Sequence, residues 1–369
     1  AQVGCPYEAF PCGSTTGILQ IQVNRISRAG RQPICAKWLR EPDSQILSRT
    51  DRFNAAAPAV GEKPGYPLLP EAVLEQPSLK RLERIYRTAD TLSVAFQKRY
   101  TGSLLVAAIC CVALVLAYLM YDELDCRTYL LLYGLVLAVY GWVCRVAGKK
   151  EILQHYLQYR LLAETARVQC CVSGLGYLKM VAADFTWTQK QEAAWVSYAI
   201  NAALIGTAVS KCLSEEQARE IWIQDQLQYH VRAQKKVEAN RALNGRICFG
   251  TLLGMLGTFA LTFILEYGFP AFTVGNAFCG LSPQSWMKIL WGTISAVTLF
   301  AADYFGKLSL DRKQIDHRKM ATLFQEADQA FDAYPQSRKK LFQRLAAEEL
   351  IENGNWYSYS EENTLSFDI

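Results

Sequence analysis

Three histidines, twelve cysteines and one short glycine motif are the features of this chain whose residue types could support catalysis or metal binding. His155, His230 and His317 each lie on a helical pattern without a second ligand one turn away, so they predict neither a metal site nor histidine-based catalysis. The GLG at Gly174–Gly176 lacks the third glycine and the preceding strand of a dinucleotide fingerprint. We therefore expect no enzyme active site and no cofactor.

The cysteines include adjacent pairs at Cys110–Cys111 and Cys170–Cys171 but no repeated CxxC framework. This usage is typical of small apolar residues in a reducing compartment. Cys126 and Cys279 differ, because each lies in a loop between two apolar segments. In an oxidising compartment these two could form a disulfide between the loops, and otherwise they are free thiols.

Asp303 is the most informative polar residue, because an ionisable group inside an apolar segment is costly and usually faces a partner or water. It lies near the end of the last apolar segment, at about the depth of Arg246, which opens the preceding one. One interpretation is an ion pair that closes a pore mouth. The other is an interfacial carboxylate that reaches headgroup water.

Small residues in the third apolar segment favour close packing of helices. Gly250 and Gly254 form a GxxxG motif, and Gly257 extends the same face. Thr251 and Thr258 accompany these glycines, and lining a pore is the alternative role for them.

The elements that must position these residues are membrane helices. About 20 apolar residues cross the ~30 Å hydrocarbon core, and four segments of the chain have this character: Thr101–Met120, Thr128–Val143, Ile247–Leu265 and Ile289–Phe305. A composition of 51% hydrophobic and 20% charged residues would also suit a soluble protein, but four such segments exclude that class. The sequence predicts an all-α integral membrane protein with four transmembrane helices in two hairpins.

Charges at the segment ends predict the orientation, since cytoplasmic flanks hold the excess of lysine and arginine. The four outer flanks carry Lys98, Arg99, Arg145, Lys149, Lys150, Arg241, Arg246, Lys307, Arg312 and Lys313. The two inner loops carry only Arg127 and Lys288, beside four acidic residues. Both termini are therefore expected in the cytoplasm, in a multi-pass protein of the inner (plasma) membrane. The net charge of +5 is explained by these flanks and does not call for nucleic acid.

The chain divides along its length into four expected parts. Residues 1–77 hold nine of the twelve prolines and predict an irregular segment, either the end of a sensor domain with a linker or a disordered tail. Because the chain starts without methionine or a signal peptide, we expect it to be the trailing part of a longer protein. Residues 78–172 and 213–369 are expected to form two hairpins with long cytoplasmic helical extensions. Residues 173–212 are expected to form a helical cytoplasmic insert.

Helical periodicity extends both hairpins beyond the membrane. From Ser78, placed to cap a helix, apolar residues recur every three or four positions up to the first span. The second half resembles a degenerate copy of the first, with residues 311–331 laid on 149–169, His317 on His155 and Glu326 on Glu164. The alternative is that any two basic helices that leave a membrane look alike.

Four segments together resemble the SLATT family, two-transmembrane effectors found beside nucleotide-sensing SLOG domains or second-messenger synthases in prokaryotic conflict systems. They are AETARVQ (Ala163–Gln169), IWIQDQLQYH (Ile221–His230), AAEELIENGNW (Ala346–Trp356) and DRFNAAAP (Asp51–Pro58). The resemblance covers residues 78–360 as two units, whereas the family usually has one hairpin. It implies a homo-oligomeric membrane effector, pore-forming or membrane-disrupting, that is gated by a nucleotide bound outside this segment.

Three functions remain open from the sequence. The first is this permeabilising effector, since short far-side loops leave no room for an external receptor. The second is a non-conducting scaffold or signalling protein in which the same helices only mediate assembly. The third is a small-solute transporter of two repeats, for which the glycines of the third span are the one hint.

Overall fold

The computed structural model describes residues 7–12, 21–26, 41–60, 65, 67–149, 151–177, 179–205, 210–269 and 280–361. Two strands, β1 (Tyr7–Cys12) and β2 (Ile21–Ile26), precede the helices. The helices within these residues are α1 (Glu41–Ala56), α2 (Pro77–Leu124), α3 (Arg127–Lys149), α4 (Ile152–Gly174), α5 (Trp187–Glu192), α6 (Ala194–Leu204), α7 (Glu215–Ala218), α8 (Asp225–Gly268), α9 (Pro283–Lys307), α10 (Leu310–Ala333) and α11 (Arg338–Glu361). A π-helical turn, Arg219–Gln224, joins α7 to α8.

The first 77 residues contain more regular structure than the irregular segment expected there. The strands β1 and β2 pair antiparallel, and α1 extends over 16 residues. The prolines near these helices lie where a helix tolerates them, since Pro42 is the second residue of α1 and Pro77 is the first of α2. Because α2 begins at Pro77, Ser78 lies buried inside its first turn and is not the cap.

Among the described residues, four helical stretches are long and apolar enough to cross a membrane. They contain the four predicted spans, in α2, α3, α8 and α9. Large apolar side chains on these helices point outward, with Leu131 at 76% and Leu299 at 64% exposure, as expected for surfaces that face lipid. The prediction of a helical membrane protein is therefore confirmed at this level.

The described chain forms two compact units that cut across the four linear parts expected from the sequence. Unit 1 contains the described parts of Ala1–Phe96, Gln154–Tyr229 and Met320–Glu362. Unit 2 contains the described parts of Gln97–Leu153 and His230–Lys319, and so holds all four spans. The chain passes between the units inside α2, α4, α8 and α10.

Unit 1 is a helical bundle with a continuous apolar core. The predicted apolar face of α2 is buried, with Leu79, Leu82 and Ile85 at 0–2% exposure. Trp195 of α6 and Tyr357 of α11 are also buried completely. Such burial contributes about 25 cal/mol per Å² of apolar surface and is the main source of stability.

Unit 2 contains both hairpins and the beginnings of the helices that leave them. Gly292 of α9 packs against Leu119 of α2, where an added Cβ would lie 2.5 Å from the Leu119 Cδ1. At the loop ends of the hairpins, the Lys288 Nζ lies 3.0 Å from the Glu123 carboxylate. These contacts hold the first hairpin against the second.

Candidate functional site

Asp303 forms a local ion pair. Its side chain is 58% exposed, and a carboxylate oxygen lies 3.6 Å from the Nζ of Lys307, four residues later in α9. Residues four apart share one helix face, so this pair forms without any contact from α8. The expected ion pair with Arg246 is not formed among the described residues, and the exposed Arg246 does not close a pore mouth with Asp303 in this chain.

The threonines of the third span direct their hydroxyl groups to their own helix. Thr251 donates to the carbonyl of Ile247 at 2.9 Å, and Thr258 donates to the carbonyl of Gly254 at 2.8 Å. Both side chains are half-buried. Because each hydroxyl proton is donated to the backbone, these residues offer lone pairs but not protons to a passing ion or solute.

The three glycines of the third span have different surroundings. A Cβ added at Gly254 would contact Ile294 of α9 at 3.4 Å, whereas one added at Gly250 or Gly257 would meet open space. Within the described chain, the close glycine contact between spans is therefore at Gly292 and not on the predicted face. Gly250 and Gly257 remain available for a helix from another copy.

The predicted disulfide falls partly outside the described residues. Cys126 lies at the start of the loop between α2 and α3, with a free and exposed thiol. A hydrogen bond from Thr128 lowers the pKa of this thiol. Cys279 lies outside the described residues.

Unit 1 contains a buried network of charged side chains. Arg167 of α4 donates through Nε to Glu164 at 2.8 Å and through Nη2 to Glu349 of α11 at 2.7 Å. The indole N–H of Trp222 donates to the second oxygen of Glu349 at 2.7 Å. Arg167, Glu164 and Glu349 are 5%, 7% and 2% exposed, so nearly all of this network is removed from water.

Arg160 extends the network to α2. Its guanidinium pairs with Glu164, one turn later in α4, and lies 3.0 Å from the Asp90 carboxylate. It also donates to the hydroxyl of Tyr229 at 3.2 Å. Side chains from α2, α4, α8, the π-helical turn and α11 are thereby joined in one hydrogen-bonded cluster.

The cluster holds three carboxylates against two guanidinium groups. Burial raises the pKa of Glu349, and the neighbouring Arg167 opposes that effect only in part. Burial likewise raises the pKa of Asp90, against the effect of Arg160. With all five groups ionised the cluster would carry one net negative charge, so a proton on one carboxyl group would make it neutral.

Local helix geometry brings the cluster together. Glu164 and Arg167 lie three residues apart on α4 and therefore share one face. The π-helical turn contains both Trp222, which contacts Glu349, and Arg219, whose Nε lies 2.6 Å from Asp328 of α10. Turns of this kind are uncommon and occur frequently at functional sites.

Three of the four segments that carry the family resemblance meet in this cluster. Ala163–Gln169 contains Arg167 and Glu164, Ile221–His230 contains Trp222, and Ala346–Trp356 contains Glu349. The sequence marked these segments but did not assign a role to their charged residues. Charged residues on amphipathic helices are usually solvated, so only the contacts between helices reveal the network.

The histidines also have different surroundings from those expected. His230 of α8 and His317 of α10 approach with their Nδ1 atoms 3.1 Å apart, so one ring donates to the other. Arg241 and Asp311 lie 2.7 Å apart, and Arg241 also donates to Gln314. These contacts, which we call the clasp, hold α8 and α10 together within unit 2. A search for ligands one turn apart on one helix could not find a pair between two helices.

The fold and these contacts define a multi-pass membrane protein of helical hairpins with a helical unit outside the spans. Among the residues that the structure describes, no group of three or more His, Cys, Asp or Glu is placed to hold a metal ion. No protein-family model matches the chain, and no match is found among curated proteins or solved structures.

Proposed function

We propose that this protein is an oligomeric membrane effector in which unit 1 controls the permeability of the hairpins of unit 2. The observation that carries the proposal is the way the chain joins the units. All four passages, at Phe96–Gln97, Leu153–Gln154, Tyr229–His230 and Lys319–Met320, lie inside helices. A helix transmits displacement along its axis because its backbone hydrogen bonds resist stretching.

The buried cluster is suited to receive such a displacement. It joins α2, α4 and α8, three of the helices that continue from one unit into the other. Breaking one partner of a buried ion pair typically costs about 3–5 kcal/mol. A rearrangement of unit 1 therefore moves these helices as a group or leaves all of them in place.

The membrane part supports assembly from several copies. Its outward surface is apolar, and Gly250 and Gly257 have no neighbour within 4 Å in the described chain. A GxxxG face of this kind allows a second helix to approach closely. The pore is then formed between copies, which agrees with the local hydrogen bonds of Thr251 and Thr258.

The resemblance described above supports the biological setting of this proposal. We place the spans in the inner membrane, with both termini and unit 1 in the cytoplasm, as the distribution of lysine and arginine indicates. The activating nucleotide is bound by a domain outside this chain segment, as part of a prokaryotic defence system. Lipid and further copies of the chain are its direct partners.

A non-conducting scaffold is the second candidate. The pairing of Asp303 with Lys307 and the back-bonded threonines favour it, because they leave the described spans with few polar groups to line a pore. Both candidates need the same hairpins and the same assembly. They differ in whether the membrane becomes permeable.

Controlled expression in bacterial cells with a potential-sensitive dye separates the two candidates. The effector predicts loss of membrane potential on expression and a reduced loss in Gly257→Leu, because the larger side chain blocks packing between copies. Gly134→Leu is the matched control, since Gly134 also has open space around it but lies on α3. Unchanged potential with all three proteins found in the membrane fraction would favour the scaffold.

A further inference from the structure

Two residues with left-handed backbone occupy matching places in the hairpins. Glu151 has φ 44° and lies between α3 and α4, and Ser309 has φ 50° and lies between α9 and α10. Each follows the second membrane helix of its hairpin and precedes the helix that continues from it. Side chains other than glycine rarely adopt this conformation, because the Cβ approaches the carbonyl oxygen.

The sequence around the two turns is repeated. Gly148-Lys149-Lys150-Glu151 corresponds to Gly306-Lys307-Leu308-Ser309, with an offset of 158 residues (309 − 151). In each case the left-handed residue donates its N–H to the carbonyl of the glycine three positions earlier, at 3.0 Å and 2.9 Å. The offset expected from placing His317 on His155 is 162 (317 − 155), so the repeat is displaced by about one helical turn.

The entry helices of the same hairpins have no such turn. Helix α2 extends unbroken over Pro77–Leu124, and α8 over Asp225–Gly268. Helix ends that need a left-handed residue usually have glycine there. Strained residues persist where the surrounding structure fixes them, and they cluster at segments that switch between conformations.

We propose that Glu151 and Ser309 are paired hinges at which α4 and α10 change direction while α2 and α8 stay straight. The clasp is the latch of the second hinge, because Asp311 lies two residues beyond Ser309 and pairs with Arg241 of α8. Its members are polar and the Asp311 side chain is exposed, so water can replace these contacts when the latch opens. Apolar contacts among Val237, Phe305 and Leu310 lie at the base of the same helices and remain as the pivot.

Electron–electron distance measurements on the full chain in lipid nanodiscs test the hinge without reference to conductance. One pair of site-specific, cysteine-independent spin labels at Leu299 and Gln325 crosses Ser309. A second pair at Lys235 and Leu261 lies on the unbroken α8. Both pairs are separated by 26 residues (325 − 299 and 261 − 235), and all four sites are exposed.

The hinge predicts a distance distribution across Ser309 at least twice as broad as that along α8. Asp311→Asn should broaden it further or shift it by several ångströms, because the latch is lost. Asp316→Asn is the matched control, since Asp316 pairs with Arg312 inside α10 and does not join it to α8. Ser309→Gly should also broaden the distribution, because glycine accepts many backbone conformations.

Equally narrow distributions for both label pairs in the unsubstituted chain would overturn the hinge. A broad distribution across Ser309 that responds equally to Asp311→Asn and Asp316→Asn would retain the hinge but overturn the clasp as its latch.

Discussion

The guanidinium group of Arg167 donates a 2.7 Å hydrogen bond to the carboxylate of Glu349, which lies 182 residues later in the chain. Both side chains are at least 95% buried, and the indole of Trp222 occupies the remaining oxygen of Glu349. Contacts over so long a sequence separation form only when unit 1 is assembled. The pair therefore reports on the integrity of the whole unit.

Arg167→Met should destabilise unit 1 by about 3–5 kcal/mol, because Glu164 and Glu349 would remain buried without their cation. Thermal unfolding of the purified protein in nanodiscs measures the effect. Arg344→Met is the matched control, since Arg344 is 85% exposed and makes only a 3.9 Å pair with Glu348. Its effect should stay within about 0.5 kcal/mol. Equal unfolding temperatures for the two variants would show that the buried network contributes little.

The stability of unit 1 should fall as the pH rises from about 5 to 8. A hydrogen bond with Glu361 and partial burial raise the pKa of Glu192 to about 7. Because this folded pKa lies above the unfolded value, the stabilisation is complete below the unfolded pKa and is lost as the pH passes through about 7. Unfolding temperatures across this range should decline less steeply in Glu192→Gln than in the unsubstituted protein.

Glu348→Gln serves as the control for the pH experiment, since Glu348 is 43% exposed. It should retain the pH profile of the unsubstituted protein. Parallel profiles for Glu192→Gln and the unsubstituted protein would contradict the shared proton between Glu192 and Glu361.

Gly354→Ala should destabilise the contact between α11 and α5 by about 1–3 kcal/mol. An added Cβ would lie 2.8 Å from the Thr186 Oγ1 and 2.9 Å from the Gln189 Cδ. These two residues form the capping box of α5, and Gln189 also donates to the carbonyl of Leu350 at 3.1 Å. Chemical unfolding monitored by tryptophan fluorescence measures the change.

Gly245→Ala is the matched control for this substitution, because Gly245 is also helical but has nothing within 4 Å. It should be neutral or stabilising by up to about 1 kcal/mol, since alanine favours helix more than glycine does. A loss of stability in Gly245→Ala as large as that in Gly354→Ala would point to backbone effects rather than to packing.

Charge reversal at Glu123 and Lys288 tests the contact between the hairpins. Each single reversal, Glu123→Lys or Lys288→Glu, should destabilise the pair by up to about 1 kcal/mol, and the double exchange should restore most of the loss. Unfolding of the four proteins in one detergent provides the double-mutant cycle. Additive effects would mean that the two side chains do not interact in solution.

The spans could be predicted from sequence because the membrane requires long apolar segments. Thr101–Met120 lies within α2 and Ile247–Leu265 within α8, as expected. No comparable rule reveals which charged side chains on an amphipathic helix turn inward. Glu164 and Arg167 are therefore indistinguishable in the sequence from residues that face water.

The register of the internal repeat could not be predicted either. Matching His317 to His155 gave an offset one turn too long, because identical residues on two basic helices outweigh a short turn motif. The backbone conformation of Glu151 and Ser309 shows the correspondence that the side chains obscure. Similarly, Gly292 has no motif to mark it, although it makes the closest glycine contact among the described spans.

Leakage from liposomes tests the central claim most directly. The purified chain is reconstituted into vesicles that hold a small fluorescent dye and a potassium gradient, and insertion is verified by protease protection. The account predicts ion flux that increases with protein density, as expected for assembly between copies, and that falls in Gly257→Leu but not in Gly134→Leu. Vesicles that stay tight at every density and with every candidate nucleotide, although the protein is inserted, would contradict a permeabilising effector.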